Sequence, residues 1–283
     1  MKSSIKALRS LSLFIIFSMS VACAAAQNEP SGNPYQPQYG QEGKDVIWVP
    51  TPEALVEKML DMAQVTPDDY VIDLGSGDGR TVIAAAKRGA RALGVEYNPD
   101  MVAFSIHNAE IAGVSDKASF VNADLFATDF SDATVLTMFL LPSINLELRP
   151  HILTLNPGTR IVSNTFDMGD WEPDEKAVIE QSDNPCESHY HTALLWVVPA
   201  RVEGYWVMED GNLTLSQNFQ FISGTIQQGE TVMPVENGRL HGDIISFQAG
   251  DRKYKGRVSG NVIEGSITDS AGNNTWKAMK SDD

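Results

Sequence analysis

Residues 71–80 read Val-Ile-Asp-Leu-Gly-Ser-Gly-Asp-Gly-Arg, and this stretch decides the fold. Its apolar start is typical of a buried strand. The three glycines that follow allow the backbone dihedrals of a tight turn and let a ligand approach the main chain. A helix is predicted from about Arg80, and its free N–H groups would face the same ligand. The stretch therefore predicts a strand, a ligand-binding turn and a helix.

Apolar runs and helical segments alternate on both sides of this stretch. Strands are predicted at 70–74, 91–96, 119–121, 133–141 and 159–166, and helices begin at 51–53, 80, 98 and 142, with a further short turn opened by Pro150. The strand runs lack polar alternation, which favours a parallel sheet covered by helices on both faces. Residues 177–181 and 189–198 are expected to close it as an antiparallel hairpin. Residues 46–200 thus predict an α/β, Rossmann-like, doubly wound seven-stranded sheet.

After residue 200 the helical period disappears. Short alternating runs lie between turn signals such as Asp210-Gly211, Asn237-Gly238 and Ser259-Gly260-Asn261. This spacing is typical of antiparallel strands joined by tight turns. We expect residues 201–283 to form a small antiparallel β domain, a meander that closes as a partial barrel or a sandwich.

The N-terminus has the pattern of an export signal. Basic residues at 2, 6 and 9 precede an apolar run at 11–22 and small residues up to Ala26. We expect residues 1–26 to be a signal peptide and the protein to be exported to the periplasm or envelope. Cys23 follows Ser-Val-Ala, which resembles a bacterial lipobox with Ser in place of the usual Leu. The alternative is therefore a lipoprotein attached to the membrane through Cys23.

Two features of the composition predict a linker and exclude one class of partner. Residues 27–45 are rich in Gln, Asn, Gly and Pro, which predicts a flexible linker. The chain carries 21 Lys and Arg against 37 Asp and Glu, a formal net charge of -16. Such a chain has no general attraction to a phosphate backbone, so we expect no nucleic-acid partner.

Acidic residues end three successive strands. Asp73 stands directly before the glycines, where it would repel a dinucleotide pyrophosphate but attract the ammonium of S-adenosylmethionine (SAM). Glu96 ends the second strand and can accept both ribose hydroxyls. Asp124, after the third strand, is placed to accept the adenine amino group, and Leu125 can offer its backbone N–H to the ring. The combination predicts a SAM site.

These segments carry a resemblance to a known family. The segments are VPTP at 49–52, the strand–turn–helix–strand at 71–96, ADLF at 123–126 and the stretch 132–150. They resemble the seven-β-strand protein-lysine methyltransferases, in particular the group that includes mitochondrial lysine methyltransferases of the ATP-synthase c-subunit and the adenine nucleotide translocase, with bacterial relatives. The resemblance implies methyl transfer from SAM to a lysine of a protein substrate. The expected cofactor contacts are Thr51, Pro52, Asp73, Gly75, Ser76, Gly77, Asp78, Gly79, Glu96, Tyr97, Asn98, Asp124 and Leu125.

The chain departs from this family at both ends, because it carries an export signal and a β-rich tail. It also lacks the Asn/Asp-Pro-Pro-Tyr/Phe motif of adenine and glutamine methylation after the fourth strand. Two alternatives therefore stay open. One is a small-molecule N- or O-methyltransferase. The other is an exported, non-catalytic protein with this fold that holds a nucleoside or a partner.

The methyl acceptor is expected beside the end of the fourth strand. The predicted substrate cleft consists of Phe139, Leu140 and Pro142. Its apolar surface would lower the pKa of an acceptor lysine. Ordinary sheet core is the alternative for Leu140. Asp167 and Asp170 either orient an amine or are loop acids, and Trp171 either lines the cleft or packs its loop. No residue is assigned as a catalytic base.

Three possible metal ligands lie close together in the sequence, namely Cys186, His189 and His191. A structural zinc site needs four ligands, and the sequence offers no fourth residue near these three. We therefore expect no metal.

Overall fold

The structure, a computed structural model, describes residues 35–180 and 190–281. The predicted signal peptide with Cys23 lies outside these residues, as do Cys186 and His189. Within the described ranges, no helix is long and apolar enough to span a membrane.

A seven-stranded sheet organises the first part of the chain. Its strands are β1 Tyr70–Leu74, β2 Arg91–Glu96, β3 Ala118–Asn122, β4 Val135–Met138, β5 Arg160–Asn164, β6 Glu175–Val178 and β7 Thr192–Val197. The spatial order is β3-β2-β1-β4-β5-β7-β6. Neighbours among β1 to β5 are parallel, and β7 runs antiparallel to both β5 and β6. The predicted doubly wound sheet with its closing hairpin is confirmed.

Four helices cover the two faces of this sheet. They are α1 Glu53–Met62, α2 Arg80–Lys87, α3 Pro99–Ile111 and α4 Pro142–Ile152. Successive residues of a strand point to opposite faces. Val71 accordingly joins a core with α1 and α2, whereas Ile72 joins a second core with α4. The near-continuous apolar runs of the sequence are explained by this burial on both faces.

Three local predictions need correction. The fourth strand ends at Met138 and not at 141, because Phe139 to Leu141 leave the sheet and turn toward α4. Pro150 opens no new turn but lies inside α4. Its ring nitrogen carries no N–H and cannot donate to the carbonyl of Leu146, as other residues at that helical position would. Thr51 does not cap α1, whose N-cap is Pro52 and which has no side-chain cap.

The second part of the chain is an eight-stranded closed barrel. Its strands are β8 Gly204–Met208, β9 Gly211–Asn218, β10 Phe221–Gln228, β11 Thr231–His241, β12 Ile244–Ala249, β13 Arg252–Ser259, β14 Val262–Asp269 and β15 Gly272–Lys280. Each pairs antiparallel with the next, and β15 returns to β8. The small antiparallel β domain is confirmed, with complete closure in place of a partial barrel or a sandwich. Closure removes the sheet edges that an open meander would expose.

Aromatic side chains fill the barrel. Phe247 stacks on Tyr254 with ring centroids 4.6 Å apart, and Trp276 meets both edge-on. Trp206 is fully buried, and its indole N–H donates to the carbonyl of Val202, 2.7 Å away. The interior is therefore a packed core, in which alternate strand residues supply the apolar side chains.

Candidate functional site

A cavity of about 260 Å³ opens at the carboxyl ends of β1, β2 and β4. Ligands of doubly wound sheets bind at this edge. Its walls are the glycine turn after β1, the ends of β2 and β4, and residues 41–51. The sequence-predicted residues that line it are Thr51, Asp73, Gly75, Ser76, Gly77, Asp78, Glu96, Tyr97, Asn98, Asp124, Leu125, Phe139 and Leu140.

Three predicted site residues lie outside these walls. Pro52 is buried at the start of α1. Gly79 is buried behind the turn, where an added Cβ would lie 2.8 Å from the ring of Phe120. Pro142 is exposed as the first residue of α4, and Leu141 and Ile144 line the cavity there instead. These three residues shape the backbone around the cavity.

Hydrogen bonds to β2 fix the glycine turn. The amides of Gly75 and Ser76 both donate to the carbonyl of Val95, at 2.9 and 3.0 Å. Gly77 has φ 54°, a left-handed conformation that favours glycine. Its amide donates to Glu96 Oε2 at 3.0 Å. The other Glu96 oxygen accepts from the amide of Asn98 at 2.8 Å. Two backbone groups thus orient the Glu96 carboxylate, which keeps free lone pairs for a ligand.

Asp73 is a buried carboxyl group at the end of β1. Burial is the largest cause that raises the pKa of Asp73 to about 7; the nearby charges of Asp78 and Glu96 act in the same direction, and a hydrogen bond from Thr137 opposes them. Thr137 Oγ1 donates to Asp73 Oδ1 over 2.6 Å. Sequence reasoning missed Thr137, although a threonine within an apolar strand is a signal. Its position opposite Asp73 follows only from the register of β1 and β4.

Ser76 supplies an unused polar group. Its hydroxyl is buried and has no hydrogen-bond partner. A buried hydroxyl without a partner is unfavourable by about 1–3 kcal/mol. Ser76 lines the cavity, but its Oγ lies toward β2, 2.6 Å from a Cβ added at Gly94, so Asp73 is the polar group of this pair that is assigned to a ligand.

Arg80 links the glycine turn to the start of α1. Its guanidinium donates three hydrogen bonds to the Asp78 carboxylate, of 3.0, 3.1 and 2.6 Å, and a further one to the carbonyl of Thr51 at 2.8 Å. The Thr51 hydroxyl in turn accepts from Asn164 Nδ2 at 3.2 Å. Thr51 therefore ties α1 to both the turn and the end of β5. Arg80 and Asn164 were not singled out from the sequence.

Residues 40–48 form a strap across the cavity, which contradicts the flexible linker predicted up to residue 45. The Gly40 amide donates to the Trp48 carbonyl, and the Trp48 amide donates to the Gln41 carbonyl, each at 2.9 Å. The Trp48 indole covers Gly77, where an added Cβ would lie 2.6 Å from Nε1. The strap is ordered by contacts with residues far along the chain, which its polar composition does not reveal.

Lys44, within the strap, reaches the far end of the cavity. Its Nζ lies 2.6 Å from Asp124 Oδ2 and 5.0 Å from the centroid of the Tyr97 ring. This bond raises the pKa of Lys44 and lowers that of Asp124. The other oxygen of Asp124 accepts from the amide of Phe126 at 3.0 Å. The predicted adenine partner is thus already paired with a cation that the sequence did not associate with it.

Three rings form an aromatic wall at the opposite end, consisting of Phe139, Phe166 and Tyr190. Phe139 stacks on Phe166 at 5.8 Å and meets Tyr190 edge-on at 4.9 Å. Leu140 continues the wall toward the glycine turn, 3.1 Å from a Cβ added at Gly75. The wall therefore lies on the Asp73 side of the cavity. Only Phe139 and Leu140 were predicted, because Phe166 lies just after β5 and Tyr190 just before β7, far from Phe139 in the chain.

The loop acids after β5 lie away from the cavity walls. Asp167 accepts from the amide of Gly169 at 3.1 Å, and Asp170 forms an ion pair with Arg149. Trp171 is fully buried and packs its loop. The structure thus favours the alternative in which these residues organise the loop.

The described part of the chain holds no group of three or more His, Cys, Asp or Glu side chains arranged for a metal ion. His191 is half-buried, and its Nδ1 has no hydrogen-bond partner. Its two predicted neighbours lie in the segment that is not described.

Comparison with known proteins identifies the seven-stranded domain. A family model described as the ANTKMT methyltransferase domain matches residues 73–175. The protein-lysine N-methyltransferase of Saccharolobus islandicus is 44% identical over 156 residues, which are 54% of this chain and 94% of that protein. The lysine N-methyltransferase of the ATP synthase c-subunit from Mus musculus is 37% identical over 45% of this chain, and the match spans about half of that protein, 51%.

A solved structure agrees with these relatives. The RNA methyltransferase from Salinibacter ruber, in complex with S-adenosyl-L-homocysteine, is 45% identical with a TM-score of 0.50, over 54% of this chain and 96% of that one. Its ligand is the demethylated product of SAM. The sheet order, the glycine turn at its carboxyl edge and these matches agree. The chain therefore belongs to the ANTKMT-type family of class I methyltransferases, enzymes that use S-adenosylmethionine as their cofactor.

Proposed function

We propose that this methyltransferase acts on the ε-amine of lysine in a protein. The observation that carries the proposal is the aromatic wall beside Asp73, formed by Phe139, Phe166 and Tyr190. Aromatic faces pack against the methylene stem of lysine and exclude water from its amine. The Saccharolobus islandicus relative, a protein-lysine N-methyltransferase, supports the same acceptor.

The cofactor would lie along the cavity with its methionine part toward Asp73. The buried Asp73 carboxylate has no cationic partner among its hydrogen bonds, so it suits the ammonium of SAM. Glu96 would accept the ribose hydroxyls, and Asp124 with Leu125 would face the adenine. When bound, SAM supplies an electrophilic methyl group on a sulfonium.

The acceptor must reach that methyl group as a neutral amine. The aromatic wall excludes water and lowers the pKa of an entering lysine, so the proton is lost to solvent before transfer. The neutral amine would then accept the methyl group that bound SAM supplies, and S-adenosylhomocysteine would be the leaving group. Positioning of the two reactants in line supplies most of the acceleration. Phe139 and Phe166 therefore act by placing the amine, and no residue is assigned as a base.

RNA is a second candidate acceptor, because the Salinibacter ruber relative is described as an RNA methyltransferase. The charge of the domain opposes it. Residues 46–200 carry nine Lys and Arg against 23 Asp and Glu. Phosphate backbones are bound through cationic side chains, so this balance favours a basic protein segment over RNA. A small N- or O-nucleophile is the third candidate.

Radiolabelled methyl-SAM distinguishes these acceptors. The full chain would be incubated separately with a lysine-rich basic protein, ribosomal RNA and a small-molecule extract. We expect label in the protein, recovered after acid hydrolysis as methyl-lysine. Label confined to RNA or to small molecules would overturn the lysine proposal. Phe139→Ala should lose most of the protein labelling and keep SAM affinity, whereas the exposed Val207→Ala should lose neither.

We also propose that the protein works outside the cytoplasm, in the periplasm or envelope, on the strength of its first 26 residues. Cys23 would add a lipid anchor in the lipoprotein alternative. Fractionation of cells that express the full chain tests the proposal by immunoblot. Recovery of uncleaved protein in the cytosol would contradict export. A Cys23→Ser variant that leaves the membrane fraction would establish the anchor.

A further inference from the structure

The loop between β5 and β6, residues 165–174, has two sides. One side supplies Phe166 to the aromatic wall of the cavity. The other side supplies Trp171, which is fully buried and stacks on Phe219 of the barrel with ring centroids 5.8 Å apart. One short loop therefore joins the acceptor end of the cavity to the barrel.

Two further contacts hold this loop against the barrel. Gln220 Nε2 donates to the carbonyl of Glu172 at 2.8 Å. Arg239 donates to Asp174 Oδ1 at 2.7 Å, and the Asp174 side chain is only 6% exposed. Charged pairs with one member this buried are strong and geometrically specific. The barrel thus contacts the loop through two adjacent residues of the β9–β10 turn and one residue of β11.

The loop has little regular structure of its own and contains a strained residue. Thr165 has φ 62°, which is uncommon for a β-branched residue. Such conformations persist only where surrounding contacts hold them. Asn145 of α4 donates to the carbonyls of Phe166 and Asp167, at 3.3 and 3.0 Å. The position of Phe166 therefore depends on support from outside the loop.

Arg149 of α4 contacts both the loop and the barrel residue Phe219. Its guanidinium donates to the carbonyl of Met168 at 2.7 Å and lies 5.3 Å from the centroid of the Phe219 ring. The ring of Phe219 thus packs against both Trp171 and Arg149. Loss of the Phe219 ring would remove a packing partner from both Trp171 and Arg149.

The barrel residue in this contact is itself strained. Phe219 has φ 52°, a left-handed conformation that bulky residues rarely adopt. A hairpin turn would ordinarily place Gly or Asn there. The turn holds a phenylalanine instead, at the point where the barrel meets the loop. This arrangement indicates that the Phe219 side chain serves the contact with the loop, because the turn itself would favour Gly or Asn.

The cofactor end of the cavity is held by different partners. The turn bonds to β2 and to α3, through Gly77 with Glu96 and Ser105, and through Asp78 with Asn108. None of these partners belongs to the barrel. A substitution at the contact between barrel and loop should therefore change the position of residues at the acceptor end and leave the glycine turn at the cofactor end unchanged.

We propose that the barrel positions the acceptor side of the active site, with Phe219 and Arg239 as positioning residues that act through Trp171 and Asp174 on Phe166. The proposal rests on the function proposed above, in which the aromatic wall receives the acceptor. It assigns a role to residues 201–283, which lie outside the family match.

The test uses Phe219→Gly in the full chain. Glycine suits the left-handed turn, so this variant removes the ring and relieves the strain, and the barrel should stay folded. Met279→Ala, an exposed barrel substitution, is the matched control. We expect faster amide hydrogen exchange in residues 165–174 of Phe219→Gly, unchanged exchange in residues 75–80, and SAM affinity within about twofold of the native protein.

Exchange does not require a known acceptor, so it tests the positioning role even if lysine proves to be the wrong acceptor. With the lysine-rich protein as acceptor, Phe219→Gly should raise KM or lower kcat by about tenfold. Arg239→Ala should act in the same direction, and Arg239→Lys should recover part of the loss. Unchanged exchange in the loop would overturn the proposal. An equal weakening of SAM binding would overturn it too, because the effect would then be general.

Discussion

Asp73 shows at the scale of a single residue how the fold prepares a binding group. An exposed aspartate ionises near pH 3.8, whereas burial raises the pKa of Asp73 to about 7. Between these values the unfolded chain has lost a proton that the folded protein keeps. The contribution of Asp73 to the free energy of unfolding therefore falls as pH rises from about 4 to 7 and is constant above.

SAM affinity should consequently depend on pH through Asp73. Its ammonium favours the ionised carboxylate, so Kd should fall by about tenfold per pH unit up to about pH 7 and then level off. Calorimetry in buffers of different ionisation enthalpy should detect proton release near pH 6.5. Asp73→Asn should bind SAM weakly and without this pH dependence. A native Kd that does not change between pH 5.5 and 7.5 would contradict the assignment.

Gly77 is the residue at which turn and strap meet. Gly77→Ala would place a methyl group 2.6 Å from Trp48 Nε1 at a backbone φ of 54°. We expect the strap to be displaced and the free energy of unfolding to fall by about 1–3 kcal/mol. Gly113→Ala is the matched control, since it has a positive φ of 70° and open space around the added atom. Urea denaturation measures the free energy of unfolding of both variants, and an equal loss in the two would show that the contact between Gly77 and the strap does not contribute to stability.

The strap is the feature that matters at the scale of elements. It lines the cavity between the glycine turn and Asp124, so we expect its attachments to slow the release of bound cofactor. The strap is attached to the rest of the protein through Trp48 and Lys44, by different kinds of contact. Trp48 packs on backbone, whereas Lys44 is held by an ion pair whose side chains are about one-third exposed, 34% and 35%. Exposed pairs contribute little and are screened by salt.

SAM dissociation should accordingly respond unequally to the two attachments. Trp48→Ala should speed dissociation by about tenfold, and Lys44→Ala by only a few-fold, with the Lys44 effect absent at high salt. Stopped-flow displacement measures both rates. Asp45→Ala is the control, because Asp45 also lies near Lys44, at 3.8 Å, but does not reach Asp124. Slower dissociation in Lys44→Ala would instead mean that Lys44 competes with the adenine.

The relation between sheet and barrel belongs to the scale of the whole molecule. The Saccharolobus islandicus relative matches only 156 residues of this chain over 94% of its own length, so the methyltransferase core exists without a barrel of this size. In this chain the two parts share buried contacts, including the pair of Arg239 with Asp174 and the stacking of Trp171 on Phe219. In this chain the barrel and the methyltransferase core therefore form one packed structure.

A chain shortened after residue 200 tests this relation. We expect it to bind SAM within about threefold of the full chain, because the cofactor end makes its bonds inside the sheet domain. Its melting temperature should fall, since Trp171 and the carboxylate of Asp174 lose their partners. Differential scanning calorimetry and titration measure the two effects. Loss of SAM binding from a shortened chain that still melts cooperatively would contradict the independence of the cofactor end.

The sequence by itself determined the sheet, the glycine turn and the acids at three strand ends. Those features are local, because strand periodicity, turn chemistry and helix starts depend on neighbouring residues. The carboxyl ends of parallel strands share one edge, so Asp73 and Glu96 could be placed together before their contacts were known. The small β domain was likewise evident from its turns.

Tertiary structure alone decided the strap, the partner of Asp73, the full aromatic wall and the closure of the barrel. Lys44 meets Asp124 across 80 positions, and Thr137 meets Asp73 across 64. Phe219 and Thr165, the residue before Phe166, have strained backbone that contacts with distant residues hold in place. Strand register, packing and closure bring together residues whose separation leaves no periodic trace in the chain. Local pattern therefore specified the cofactor edge, whereas the walls around the acceptor depend on the completed fold.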